Sequence, residues 1–114
     1  MRCRRARPPA DHGKAAGSAH VVKLRGDLDL GSADDLRERL DGVALDGKLE
    51  IVVDLRDLAF LDSSGLRELI VASRSAATLG KRFALIAGRD EIQRVFKISG
   101  TAERFEWVDP WNLD

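Results

Sequence analysis

The chain has 114 residues, 44% of them apolar and 33% charged, enough for one compact domain with a modest core and a solvated surface. Nineteen basic and nineteen acidic residues cancel, which argues against a dedicated nucleic-acid binder, whose balance is strongly basic. One cysteine, Cys3, allows no internal disulfide, one Cys with two His is too few for a zinc site, and no apolar run nears the length of a membrane span. The zero net charge hides an asymmetry. Residues 1–25 carry seven basic groups against Asp11 alone, while residues 26–114 carry twelve against eighteen acidic ones.

Residues 1–18 hold almost no large apolar side chains and are interrupted by Pro8, Pro9, Gly13 and Gly17, so they bury too little to offset the entropy of ordering. They are predicted to form a flexible basic arm. The two prolines also stand where the apolar stretch of a secretory signal would begin, and a soluble, cytoplasmic protein is expected.

From His20 the pattern changes. His20–Arg25 alternates, with Val22 and Leu24 against Lys23 and Arg25, which predicts a half-buried strand that Gly26-Asp27-Leu28-Asp29 then breaks. Ser32-Ala33-Asp34-Asp35 has the form of a capping box, so a helix should open there with Leu36, Leu40 and Val43 inward and Gly42 and Gly47 framing its exit. Leu49–Leu55 is apolar and β-branched almost throughout, the mark of a central strand buried on both faces. A short connection, Arg56–Leu61, leads to Asp62-Ser63-Ser64-Gly65. Leu66, Leu69, Ile70, Ser73 and Ala77 then recur at helical spacing up to Gly80. Phe83–Ala87 predicts another strand, Asp90–Ser99 another helix with Ile92, Val95 and Phe96 inward, and Arg104–Val108 a last short strand. Alternating strands and helices imply an α/β domain over 19–110 with a largely parallel sheet, followed by a short tail over 111–114.

Much catalytic chemistry is missing. The chain has no Gly-x-Gly-x-x-Gly, and none of its Gly-Lys pairs is followed by Ser or Thr, so neither common phosphate cradle is present. His12 and His20 lie in or beside the arm, which leaves no histidine in the body of the domain for a Ser-His-acid relay. The acidic pairs Asp27/Asp29 and Asp34/Asp35 sit where caps and solvated charges are common, and the aromatics form no nucleobase-stacking platform. No cofactor, metal or catalytic residue is expected, and the protein is not read as an enzyme.

The informative segment is Asp62-Ser63-Ser64-Gly65-Leu66, at a strand-to-helix junction. Its plainest reading is a helix cap, because short polar side chains accept hydrogen bonds from the free N–H groups. A serine at a helix N-terminus is also a place where a phosphate of charge roughly −1.5 to −2 can be added without breaking the fold. With Asp62 beside it, such a phosphate makes a dense negative spot able to spoil a close contact.

The run LEIVVDLRDLAFLDSSGLREL resembles the STAS domain of bacterial anti-sigma factor antagonists. Two further pieces fit that family in order: Leu24-Arg25-Gly26-Asp27-Leu28-Asp29 upstream, and Ile92-Gln93-Arg94-Val95-Phe96-Lys97-Ile98-Ser99-Gly100 downstream. The resemblance, which spans about residues 20–108, implies the STAS fold: a single mixed, largely parallel sheet of four to five strands with helices packed on it. It implies that Ser63 is phosphorylated by a kinase-type anti-sigma factor, which binds the unphosphorylated protein and thereby frees a sigma factor. Asp62 would present the hydroxyl, Ser64 and Gly65 complete the switch motif, Asp27 and Asp29 flank it, and Arg67 and Arg74 are weaker candidates for partner contact. A serine phosphatase would reset the switch, and a monomer or weak dimer is expected.

Two departures from the family stand out: residues 8–18 make a poor first strand, and the chain stops soon after Pro110. Other readings stay open. They are a structural STAS subunit of a stress-sensing or lipid-transport ATPase complex, a small-molecule sensor built on the Gly26–Gly31 loop and the Ser63 turn, and a DNA-binding arm.

Overall fold

Val22, Leu24, Ile51, Val53 and Leu85 occupy alternate positions along their segments and are fully buried, as strands packed against helices require. The computed structural model describes residues 2–6, 19–44 and 47–110. Its elements are β1 (Arg2–Ala6), β2 (Ala19–Leu28), α1 (Ala33–Ala44), β3 (Glu50–Leu61), α2 (Ser63–Thr78), β4 (Arg82–Ile86), α3 (Asp90–Ser99), a 3₁₀ turn (Ala102–Arg104) and β5 (Glu106–Trp107). The sheet order is β1-β2-β3-β4-β5. β1 runs antiparallel to β2, and every other pairing is parallel.

Each parallel strand lies one place further along the sheet than the last. Right-handed crossovers in a constant direction place successive helices on the same face. Leu36 and Leu40 of α1, Leu66 and Leu69 of α2, and Ile92 and Phe96 of α3 accordingly share one core with Val22, Ile51, Val53 and Leu85. The opposite face carries a smaller cluster of Val52, Ala84 and Ile86. Phe96 meets Trp107 edge-on with centroids 5.0 Å apart and Phe105 at 5.5 Å, so aromatics scattered in the sequence close the core around α3.

Several boundaries differ from the sequence reading. Residues 2–6, predicted to belong to a flexible arm, form β1, in register from Arg2 opposite Arg25 to Ala6 opposite Val21. Composition missed it because an edge strand is held by main-chain hydrogen bonds, which charged side chains do not prevent. Residues 7–18 and the tail at 111–114 lie outside the described residues. β2 does not end at Gly26. It continues to Leu28 through two irregularities in its pairing with β3, where Gly26 takes a φ of 74°. The expected connection Arg56–Leu61 is the second half of β3, with Leu58 and Leu61 buried opposite Gly26 and Leu28. The extra residues that β3 carries relative to β2 set its buried leucines three apart, which disguised it as a loop.

Smaller corrections follow the same logic. Ala76 rather than Ala77 completes the buried face of α2. The strand expected over Arg104–Val108 is a 3₁₀ turn followed by the two-residue β5. The Ser32 hydroxyl does not serve a capping box. It turns back into the preceding loop, donating to the Asp27 carbonyl (3.0 Å) and accepting the Asp29 N–H (3.0 Å).

Candidate functional site

β2 and β3 end side by side, with Leu28 opposite Leu61, and this pairing delivers Asp62 to the loop that follows Leu28. The Asp62 N–H donates to the Leu28 carbonyl at 3.1 Å. In extended conformation (φ −108°, ψ −176°), Asp62 caps α2: its Oδ1 accepts the Gly65 N–H at 3.0 Å. Its Oδ2 accepts the Leu30 N–H at 3.3 Å. One carboxylate therefore holds both the start of α2 and the β2–α1 loop.

Ser63 is the first residue of α2 and is exposed, whereas Ser64 is half-buried and Gly65 buried. Asp29 braces the loop from within, its Oδ1 accepting the Gly31 N–H at 3.0 Å. Asp27 is exposed and pairs in register with Phe60, two residues before Asp62. The predicted switch motif and the two upstream aspartates thus meet at one end of the sheet. Asp29 belongs to the scaffold of the loop; Asp27 presents its charge to solvent.

Arg67 lies one turn beyond Ser63 on the same exposed stripe of α2. Arg74 is exposed on that stripe too, but about 16 Å further along the helix axis than Ser63 at 1.5 Å per residue. Arg37 of α1 docks the two helices at this end. It pairs with Asp34 at 2.5 Å and faces Glu68 of α2 at 3.9 Å. The hydrogen bond and charge of Asp34, with Glu68 behind, raise the Arg37 pKa above its usual value.

Two features escaped the sequence reading. Leu30 stands in the β2–α1 loop with 77% of its surface exposed; its signal was an apolar residue in an otherwise polar turn. Ser32, read as a cap, is the buried brace of the same loop. Among the described residues no three His, Cys, Asp or Glu side chains gather as a metal would need, and no helix is long and apolar enough to cross a membrane.

The family model described as Mlab, STAS domain, matches residues 12–108. The chain belongs to the STAS domain family. An anti-sigma-B factor antagonist of Staphylococcus aureus (strain NCTC 8325 / PS 47) is 30% identical over 81 residues, 71% of this chain and 75% of that protein. Among solved structures, an anti-sigma factor antagonist from Mycobacterium paratuberculosis superposes with a TM-score of 0.74 at 22% identity, covering 96% of this chain and 86% of that one. The anti-sigma factor antagonist SpoIIAA in its unphosphorylated form gives 0.71 at 21% identity, covering 83% and 84%. These likenesses place the mixed sheet and its three helices in the STAS fold. The antiparallel β1 completes a five-stranded sheet, so the first strand that seemed lacking in the sequence lies upstream of the prolines.

Proposed function

We propose that this STAS domain is an anti-sigma factor antagonist: unphosphorylated, it binds a kinase-type anti-sigma factor and releases a sigma factor, and phosphorylation of Ser63 ends that binding. The observation that carries the proposal is the division of labour at the start of α2. Asp62 supplies the cap through Oδ1 and holds the Leu30 N–H through Oδ2, so the exposed Ser63 hydroxyl is free for transfer while the helix keeps its N-terminal partner. Kinship to anti-sigma-B factor antagonists supports the same reading. Asp62 acts as a positioning residue here, one oxygen holding the Gly65 N–H and the other the Leu30 N–H. The kinase supplies ATP; transfer joins its γ-phosphoryl group to Ser63 Oγ, expels ADP and releases the hydroxyl proton. A serine phosphatase would restore the hydroxyl by hydrolysis.

The test is titration of purified kinase-type anti-sigma factors from the same genome against the wild type, Ser63→Ala and Ser63→Asp. One of them should bind wild type and Ser63→Ala alike and bind Ser63→Asp at least about a hundredfold more weakly, the order of cost for an unpaired charge at a desolvated contact. With ATP, that partner should add one phosphate to the wild type and none to Ser63→Ala. Equal binding by the two variants would remove the switch. It would favour the second reading, a constitutive STAS subunit of a lipid-transport ATPase complex, for which the Mlab description of the matching family model is the supporting observation.

A further inference from the structure

Exposed apolar side chains are common and carry no meaning singly; Ile98, at the end of α3, is 79% exposed. Leu30 differs in how its backbone is held. The Ser32 N–H closes a turn onto the Asp29 carbonyl at 3.0 Å, and the Gly31 N–H reaches Asp29 Oδ1 at 3.0 Å. The Leu30 N–H itself reaches Asp62 Oδ2. A leucine is thus fixed, 77% exposed, at the tip of a turn in which the N–H groups of residues 29–32 are all hydrogen-bonded. The residue that holds it is the immediate neighbour of Ser63.

We propose that Leu30 is the apolar anchor of the Ser63 surface, seated on binding in an apolar pocket of the kinase-type anti-sigma factor. The rim of that pocket is acidic where it faces Arg67 and Arg74. This rests on the antagonist reading and names the chemistry of its contact. The turn has already lost its freedom on folding, so docking Leu30 adds little ordering cost. The exposed stripe of α2 that begins at Ser63 continues through Arg67, Val71 and Arg74, which supplies positive charge beside an apolar centre and calls for acidic groups opposite. Among the described residues neither arginine is engaged in an ion pair.

The anchor also explains why a phosphate on Ser63 breaks the contact without reshaping the fold. A pocket dry enough to take leucine cannot close over a neighbouring dianion without stripping its water.

The experiment uses the kinase-type anti-sigma factor that binds the wild-type chain, titrated at two salt concentrations. Leu30→Ala should weaken binding about thirtyfold, as central anchors do, with an unchanged thermal midpoint; Leu30→Met should stay within about threefold. Arg67→Glu should weaken binding more at low salt than at high salt. In Leu30→Ala, Ser63→Asp should cost less than in the wild type, because the dry pocket is gone. Leu30→Ala binding within twofold of wild type, with Ser63→Asp still disruptive, overturns the anchor and leaves the antagonist reading standing. Tighter binding by Arg67→Glu overturns the acidic rim. If no kinase-type anti-sigma factor binds the wild type, both readings fall together.

Discussion

Replacing Gly65 with valine is expected to lower the free energy of unfolding by about 2–3 kcal/mol, in the upper part of the range for overpacking a tight contact. A Cβ at this position would lie 2.5 Å from Leu28 Cγ, 2.6 Å from the Leu28 carbonyl oxygen and 2.9 Å from Leu61 Cδ1. The two leucine side chains have rotamers to turn to. The Leu28 carbonyl does not, since it accepts the Asp62 N–H at 3.1 Å and sits at the paired end of β2. The start of α2 must therefore lift, stretching the Asp62 cap and the bond to Leu30. Gly42, in α1, makes the control: a Cβ there meets nothing within 4 Å, and Gly42→Ala should be neutral or stabilising by up to about 1 kcal/mol, the helix-interior difference between the two residues. Urea unfolding of both variants decides the matter. A Gly65→Val midpoint equal to wild type would mean that α2 can slide off the β2–α1 loop at no cost, and the coupling through Asp62 would lose its physical basis.

Gly65 also shows where the sequence was legible and where it was not. Within one Asp-Ser-Ser-Gly run, the exposure of Ser63, the capping by Asp62 and the strand-to-helix junction all follow from residue type and local order. That the glycine is required by Leu28, thirty-seven positions upstream, does not. It depends on the register that sets Leu28 against Leu61, which no local pattern carries. The same holds for β3. Its first half announced itself by unbroken β-branched residues, but its second half is bulged and is a strand only because the end of β2 pairs with it. The three helices were plain from their spacing, and Asp90–Ser99 was read to the residue. β1 was invisible for a different reason: its stability lies in main-chain bonds to an available edge, and its five residues, four of them apolar-poor arginine and cysteine positions in an arm-like composition, give no periodic signal. Ser32 was found as a helix signal and put to a second use, since a buried hydroxyl bonds whichever main-chain groups the fold brings nearest.

The second large effect lies on the other face of the sheet. Asp54 is 2% exposed in the strand that leads to Asp62. Burial pushes its carboxyl pKa up, but Arg56 two residues on more than offsets this. Arg56 donates its main-chain N–H (3.0 Å), its Nε (3.0 and 3.2 Å) and its Nη2 (2.8 Å) to the carboxylate. Those bonds and the guanidinium charge, aided by Lys23, hold Asp54 below the ordinary carboxylate range. Arg56→Met keeps the aliphatic stem and the main-chain bond while removing the fork, leaving a buried carboxylate with too few partners. Breaking such a pair costs several kcal/mol when both groups are buried; with the Arg56 side chain 48% exposed and Lys23 still in place, about 2 kcal/mol at pH 7 is expected.

The pH dependence identifies the cause. In the wild type the depressed pKa contributes stability that is fully present above the unfolded value of about 3.9 and is lost as pH falls through the lower folded one. In Arg56→Met burial dominates and the folded pKa rises, so the ionised carboxylate destabilises the fold and protonation relieves it. The gap between the two proteins should therefore be widest near neutrality and narrow as pH falls from about 5 towards 3.5. Asp54→Asn should restore much of what Arg56→Met loses, since a neutral amide oxygen still accepts the main-chain N–H and carries no charge to desolvate. A gap that stays constant with pH, or a double variant no better than Arg56→Met, would assign Arg56 to packing alone.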